Sequence, residues 1–111
     1  MADEEIMQKT AMEFVRAVKE SREYREYALQ RDKLKKQPEL YKKVNEFRQK
    51  NYMIQNKEDP DNMMDRMDEL DREYEEIREN PIAEDFLDAE TDFCRMMQDI
   101  NMLVTKELDF D

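Results

Sequence analysis

Acidic side chains are the most abundant candidates for chemistry in this chain, which has 30 Asp and Glu residues and no histidine. Two groups fall at helical spacing, and their members are Glu69, Glu73, Glu76, Asp85, Asp88 and Asp92. Helical bundles can hold paired metal ions with such carboxylates, but those sites also need Glu-x-x-His pairs. Without histidine, we interpret these carboxylates as solvated helix faces and predict no metal-binding or catalytic residues.

Other reactive residue types are rare. Ser21 is the only serine, and we expect it to cap a helix. Cys94 is the only cysteine and lies beside Phe93, so a buried small side chain is favoured over a reactive thiol. The chain has no glycine, which excludes the glycine-rich loops that bind nucleotide phosphates. We therefore expect a protein that is not an enzyme and has no cofactor.

The charge and the apolar content exclude several classes of partner. A net charge of -11 disfavours binding to nucleic-acid phosphates and to anionic membrane surfaces. No apolar run approaches the length of a membrane span. Asp3, Glu4 and Glu5 stand where a signal peptide would carry positive charge. Since a single cysteine also permits no internal disulfide, we expect a cytoplasmic protein.

A long apolar stripe is predicted on one side of a single helix near the end of the chain. Its residues follow alternating steps of four and three, and they are Ile82, Phe86, Ala89, Phe93, Met96, Ile100 and Leu103. This spacing places them on one side of a helix that is about 33 Å long. Because the stripe is too apolar to remain in water, we expect other helices, a second copy or a partner to cover it.

Four shorter helices are predicted before this one, which gives an all-α bundle of about five helices with a long helical hairpin. The first runs from about Asp3 to Glu20, and the second begins after Ser21. Proline is favoured at the first position of a helix, where its missing N–H is not needed. All three prolines are assigned to this position, and they are Pro38, Pro60 and Pro81.

Helix caps and turns divide the second half of the chain. Asp59 and Asn80 each precede a proline and are predicted to cap the helix that follows. Residues 56–62 form the clearest predicted loop, and the helix after it is expected to continue through Ile77. The last helix is expected to end near Glu107, within a tail assigned to residues 105–111. We treat all 111 residues as a single helical domain.

Charge is sorted along the chain. Residues 22–50 contain ten basic and five acidic side chains, a net charge of +5. Residues 58–80 contain eleven acidic and three basic side chains, a net charge of -8. Helices two and three are therefore predicted to pack beside helices four and five, within one protomer or across a dimer. Exposed ion pairs would select this orientation more than they would stabilise it.

The ten methionines indicate an adaptable surface, because methionine side chains repack readily against a partner, although they also fill cores. The apolar core is small for this length, and small helical domains often bury their remaining apolar faces by dimerising. We therefore predict a homodimer or a pair with a paralogue. The predicted protein interface consists of Ile82, Phe86, Phe93, Met96, Met97, Ile100, Leu103, Met63 and Met67.

Three stretches resemble the YlbF/YmcA/YheA family of small helical bacterial regulators. They are FVRAVKESREYREYALQRDKL at residues 14–34, ELYKKVNEFRQKN at residues 39–51 and ENPIAEDFLDAETDFCRMMQDINMLV at residues 79–104. The resemblance implies an all-helical fold that dimerises or pairs with paralogues. For YlbF- and YmcA-like members it also implies a complex with the protein YaaT. That complex works with ribonuclease Y in messenger RNA maturation and influences competence, sporulation and biofilm formation.

The resemblance alone does not determine whether this chain binds the family's cofactor or to which branch of the family it belongs. In the family complex, iron–sulfur clusters draw on cysteines that include C-terminal ones, whereas this chain has only Cys94 within a helix. YheA-like members have no settled role. Two functions therefore remain: a cytoplasmic helical adaptor or regulator that acts through protein contacts, and a small acidic chaperone that holds a client on a Met-rich surface.

Overall fold

The computed structural model describes residues 2–57 and 59–109, and the regular structure in these ranges is entirely α-helical. The all-α prediction is confirmed. The helices are α1 (Ala2–Glu20), α2 (Arg22–Lys35), α3 (Pro38–Lys57), α4 (Pro60–Glu73), α5 (Glu75–Glu79) and α6 (Pro81–Glu107). None of them combines the length and the apolar character that crossing a membrane requires.

The predicted caps are present, and they explain why the helices begin where they do. A side-chain oxygen of Ser21, Asp59 or Asn80 accepts a hydrogen bond from an N–H in the first turn of the following helix, as N-caps do. The bonds join Tyr24 N to Ser21 Oγ (3.1 Å), Asp61 N to Asp59 Oδ1 (3.2 Å) and Ile82 N to Asn80 Oδ1 (3.0 Å). Each of the three prolines opens a helix, as predicted.

The turn between α3 and α4 is shorter than the loop predicted at residues 56–62. α3 continues to Lys57, and Asn56 Nδ2 donates a 2.8 Å hydrogen bond to the carbonyl of Tyr52 in its last turn. α4 begins at Pro60, directly after the cap. Glu58 lies outside the described residues. The chain therefore needs far less loop here than the polar sequence indicates.

The predicted tail at residues 105–111 is also shorter, because α6 extends to Glu107. Leu108 and Asp109 form a turn, and Asp109 has a positive φ of 52°. An Asp can adopt this left-handed backbone at low cost where a helix ends. The last two residues of the predicted tail lie outside the described ranges.

Tyr74 divides the predicted fourth helix into α4 and α5. Its backbone has φ -113° and ψ 30°, outside the helical range. The Tyr74 ring packs against Phe47 of α3 with centroids 5.6 Å apart, and Lys50 Nζ lies 5.0 Å from its centroid. The surrounding sequence consists of good helix formers, so local preference does not predict this break. The break coincides with the packing of the Tyr74 ring against α3.

The chain forms two compact units. The continuous unit runs from Gln30 to Asp88, and the discontinuous unit combines the residues up to Leu29 with those from Ala89 onward. α2 and α6 each contribute residues to both units. In the continuous unit, α3 packs against α4 and α5. Its buried apolar side chains are Leu34, Val44, Phe47, Leu70, Ile77, Ala83 and Phe86.

Opposite charges meet where α3 packs on α4 and α5. Lys50 Nζ lies 2.8 Å from a Glu73 carboxylate oxygen, and Lys43 Nζ lies 3.5 Å from one of Glu76. This confirms the predicted packing of the third helix beside the acidic fourth one, which the structure divides into α4 and α5. All four side chains are about half exposed or more, so these pairs direct the packing more than they stabilise it.

Candidate protein-interaction surfaces

α1 carries an apolar face that its own chain covers only in part, with Phe14 41% exposed and Val18 half-buried. We define the α1 face as the residues within one helical sector, which are Met7, Ala11, Phe14, Val15 and Val18. No residue of this 19-residue helix is buried, and Met7 is 69% exposed. A helix of this length is only marginally stable in water unless it packs on something. The α1 face is therefore a candidate contact for another polypeptide.

The long stripe on α6 changes its environment along the helix. Phe86 is 1% exposed and Ala89 is 4% exposed, so the first part of the stripe is covered by this chain. Phe93, Met96 and Ile100 are half-buried, and Leu103 is 57% exposed. Periodicity places these residues on one side of the helix, but only the first part of that side is sealed.

A second surface that the chain covers only in part lies at the end of α6. We define the α6 face as Met97, Ile100, Leu103 and Val104, which share one sector of the helix. Leu103 and Val104 are exposed, and the other two residues are half-buried. The α1 face and the α6 face both belong to the discontinuous unit.

The predicted interface residues fall into three environments. Phe86 has its ring covered by its own chain, with the Arg48 guanidinium carbon 5.3 Å from the ring centroid, and it offers no side-chain surface. Leu103 is exposed. The others are half-buried, and they are Ile82, Phe93, Met96, Met97, Ile100, Met63 and Met67. These residues lie in both units of the chain, so the predicted set is not one patch within a single unit.

The predicted interface does not include α1, although the regular spacing of its apolar residues is visible in the sequence. Met7, Ala11, Phe14 and Val18 repeat the steps of four, three and four that marked α6. That spacing is a sufficient signal for a contact face. The spacing alone does not show that the rest of the chain leaves this face largely open, which only the structure reveals.

Cys94 lies at the surface, and the prediction that it is buried is wrong. It sits next to Phe93 in sequence, but neighbouring positions on a helix point about 100° apart. Phe93 contacts aromatic rings of α2, whereas Cys94 falls outside the apolar sector. Apolar neighbours in sequence were therefore a poor guide to its burial.

The acidic side chains of residues 2–57 and 59–109 form no group of three that could hold a metal ion, with or without the cysteine. Glu73 instead accepts a hydrogen bond from Lys50, and this bond is the main reason why the pKa of Lys50 lies above its ordinary value.

The comparison with known families gives these surfaces a context. The profile of a family described as "Control of competence regulator ComK, YlbF/YmcA" matches residues 7–109. The chain belongs to the YlbF/YmcA family. The match begins at Met7 of the α1 face and includes the α6 face. Membership confirms the resemblance seen in the sequence, and this family is named for regulation rather than for catalysis.

Two curated relatives of this YlbF/YmcA-family protein are UPF0342 proteins. The one from Desulfitobacterium hafniense (strain Y51) is 30% identical over 97 residues, which cover 86% of this chain and 78% of the relative. The one from Caldicellulosiruptor bescii is 26% identical over 102 residues, which cover 90% and 86%. No solved structure is significantly similar to this chain.

Proposed function

We propose that this YlbF/YmcA-family protein is a non-enzymatic cytoplasmic adaptor or regulator that works through protein–protein contacts. The observation that carries the proposal is the α1 helix, which has an apolar face and no buried residue. In this proposal the protein regulates by binding, and the α1 and α6 faces supply apolar area for it. Family membership supports the regulatory part of the proposal.

The first partner in this proposal is a second copy of the chain or a paralogue. Covering the α1 and α6 faces would remove Met7, Phe14 and Leu103 from water, each of which is more than a third exposed. Burying such side chains stabilises an interface by about 25 cal/mol for each Å² of apolar surface. Ile82, Met63 and Met67 are half-buried and lie in the continuous unit, and we propose them as contacts separate from these two faces.

The proposed place of action is a ribonuclease-associated complex that matures messenger RNA and influences competence, sporulation and biofilm formation. This part of the proposal rests on the family resemblance. The chain itself would contribute protein contacts rather than RNA contacts, because its net charge of -11 opposes binding to phosphates.

Light scattering coupled to size-exclusion chromatography tests the self-association. We expect the wild-type protein to have twice the mass of one chain and Leu103→Glu to have a lower mass. Gln98→Glu is the matched control, since it adds the same charge at an exposed position of α6 outside the α6 face. A wild-type monomer at every concentration, with no partner recovered from the native cell, would contradict the proposal.

A small acidic chaperone is the alternative function, and the exposed methionines favour it. Met7, Met12, Met64 and Met102 are each at least 60% exposed, which suits a surface that adapts to an unfolded client. Affinity purification from the native cell separates the two functions. Recovery of a ribonuclease with its accessory factors supports the adaptor, whereas recovery of one secreted client supports the chaperone.

A further inference from the structure

Charge changes sign from the start of α1 to the start of α2. Residues 2–5 hold three acidic side chains and no basic one, a net charge of -3. Residues 16–25 hold four basic and two acidic side chains, a net charge of +2. The apolar α1 face lies between these two ends. The segment therefore has the charge pattern of a helix that can pair with an inverted copy of itself.

Three charged side chains lie at the ends of the α1 face. Glu4 lies one turn before Met7 in the same sector of the helix, and Lys19 lies at the edge of the face in the last turn. Arg22 opens α2, and its side chain is 88% exposed although it pairs with Glu23 at 3.7 Å. Glu4 and Lys19 are exposed and form no ion pair within the described part of the chain.

The apolar part of the α1 face is largely open. Met7 is 69% exposed and Val15 is 39% exposed, whereas Val18 is half-buried. The 19 residues of α1 span about 28 Å, which gives the face room for several layers of side chains. The proposed self-association would cover this face, but it does not specify which part of the second copy lies against it.

We infer that the α1 faces of two copies pack against each other, antiparallel, about a two-fold axis between residues 12 and 13. This inference rests on the proposed self-association and adds its geometry. Ala11 then lies opposite Phe14 of the second copy, and Met7 lies opposite Val18 of the second copy. A two-fold contact closes on itself, so the product is a dimer rather than an open chain of subunits.

Side-chain size favours the antiparallel orientation. It places the small Ala11 opposite the large Phe14 on both sides of the axis, so the two central layers have equal volume, as good packing requires. A parallel pair would place two alanines in one layer and two phenylalanines in the next. The first layer would contain a gap and the second would be crowded, and both faults destabilise a core.

Charge favours the same orientation. In the antiparallel pair, Glu4 of each copy lies at the end where the other copy carries Lys19 and Arg22, and this contact occurs twice. A parallel pair would bring the acidic residues 3–5 of both copies together, and like charges repel. Since exposed ion pairs contribute little each, charge selects the orientation while the apolar side chains supply most of the stability.

Charge reversal tests the orientation in the full chain. Glu4→Lys and Arg22→Glu should each weaken the dimer by about fivefold or more, because either change places like charges together at both ends. The two changes combined exchange the charges and should restore the dissociation constant to within about twofold of wild type. Analytical ultracentrifugation over a series of concentrations measures this constant.

Two variants separate the proposed contact from general effects of charge. Glu5→Lys makes the same change in the same first turn but outside the α1 face, so it should weaken the dimer less than Glu4→Lys does. Glu4→Lys combined with Arg16→Glu retains the net charge of the wild type. Arg16 lies on the opposite side of α1, so this combination should remain weakened.

Spin labels measure the orientation without changing the α1 face. Single cysteines replace Glu5, Met12 or Glu20, which lie outside the face, in a protein whose own exposed cysteine is removed by Cys94→Ala. In the antiparallel pair, the two copies of a label are offset along the helix by about 22 Å at positions 5 and 20 and by about 2 Å at position 12. Double electron–electron resonance should therefore give the shortest distance at position 12, by about 5 Å or more.

Three results would overturn the inference while the proposed self-association stands. The first is a dimer with equal label distances at all three positions, which indicates a parallel pair. The second is a dimer with long distances at all three, which indicates that another surface covers α1. The third is a dimer that Glu4→Lys weakens and the added Arg22→Glu does not restore. A wild-type monomer at every concentration would instead contradict the self-association itself.

Discussion

The ring of Phe93 on α6 meets the ring of Tyr24 on α2 edge to face, with centroids 5.5 Å apart and planes inclined by 74°. Tyr27, one turn further along α2, places its ring 5.2 Å from the same phenylalanine. Aromatic pairs of this geometry contribute about 0.5–1.5 kcal/mol beyond the burial of their surface. Phe93 is therefore the side chain that joins these two helices within the discontinuous unit.

Phe93→Ala should lower the free energy of unfolding by about 2–4 kcal/mol, because it removes two ring contacts and leaves a gap between helices. Urea denaturation followed by far-UV circular dichroism measures the loss. Phe93→Leu retains most of the volume and should cost less than about 1.5 kcal/mol. An unchanged melting temperature and subunit number for Phe93→Ala would show that this contact does not stabilise the protein.

Asn80→Ala should destabilise the protein by about 1 kcal/mol, since α6 then loses its N-cap. The Asn80 side chain accepts N–H bonds from both Ile82 (3.0 Å) and Ala83 (3.4 Å). The midpoint of urea unfolding measures the effect. Asn80→Ser, which retains an oxygen that can cap, should stay close to wild type, and equal midpoints for the Ala and Ser variants would contradict the assignment.

The Lys50–Glu73 pair predicts a change of stability at alkaline pH. The hydrogen bond to Glu73 raises the pKa of Lys50 above its ordinary value of 10.5. A lysine whose pKa is higher in the folded state stabilises that state below its unfolded pKa, and the effect fades as the pH rises towards and past the folded pKa. Both side chains are about half exposed, so the effect is small.

We therefore expect the difference in urea midpoint between wild type and Glu73→Gln to be constant from about pH 7 to 9 and to shrink above about pH 10.5. Because both proteins contain the same tyrosines, the contribution of tyrosine ionisation cancels in this difference. Glu75→Gln on α5 removes a carboxylate that forms no ion pair in the described part of the chain, and its effect should not vary over the same range. A difference that grows at high pH would be inconsistent with this pair.

Phe14→Ser tests whether the α1 face is covered by a second copy. If it is, the melting temperature of the wild type rises with protein concentration, as it does when association stabilises a fold. Phe14→Ser should reduce that dependence, whereas Met12→Ser, on another side of α1, should preserve it. Calorimetry over about a hundredfold range of concentration is the measurement. Identical concentration dependence in both variants would exclude this face as the contact.

Local signals were sufficient to predict most helix boundaries. Pro60 and Pro81 follow Asp59 and Asn80, and in each case the cap oxygen and the proline act within one turn of backbone. Such signals need no information about the rest of the chain. The helix boundaries that they predict are therefore found in the folded protein, except where tertiary packing changes the backbone.

The break at Tyr74 could not be predicted from its neighbours. Tyr74 packs against Phe47 and Lys50, which lie more than twenty residues earlier in the chain, and its neighbours in sequence give no sign of these contacts. Cys94 is a different case, because its exposure follows from its position outside the apolar sector of α6, whereas its neighbour Phe93 faces α2. Features that depend on distant segments require the structure.

The candidate interaction surfaces were predictable only in part. Apolar spacing correctly placed Phe86 and Leu103 on one helix, but it did not show that the first is sealed and the second is open. The same spacing on α1 marked an apolar face without showing that it stays largely uncovered.

The division of the α6 stripe also bears on how such proteins diverge. Around Phe86, a change of side-chain volume would be penalised by the fold itself. Around Leu103, which is 57% exposed, such a change would cost the fold less, and contact with a partner would be the main constraint on the residue. The same helix therefore contains a segment whose sequence is constrained by the fold and a segment whose sequence is less constrained. Related proteins could then acquire new binding preferences without a change of fold.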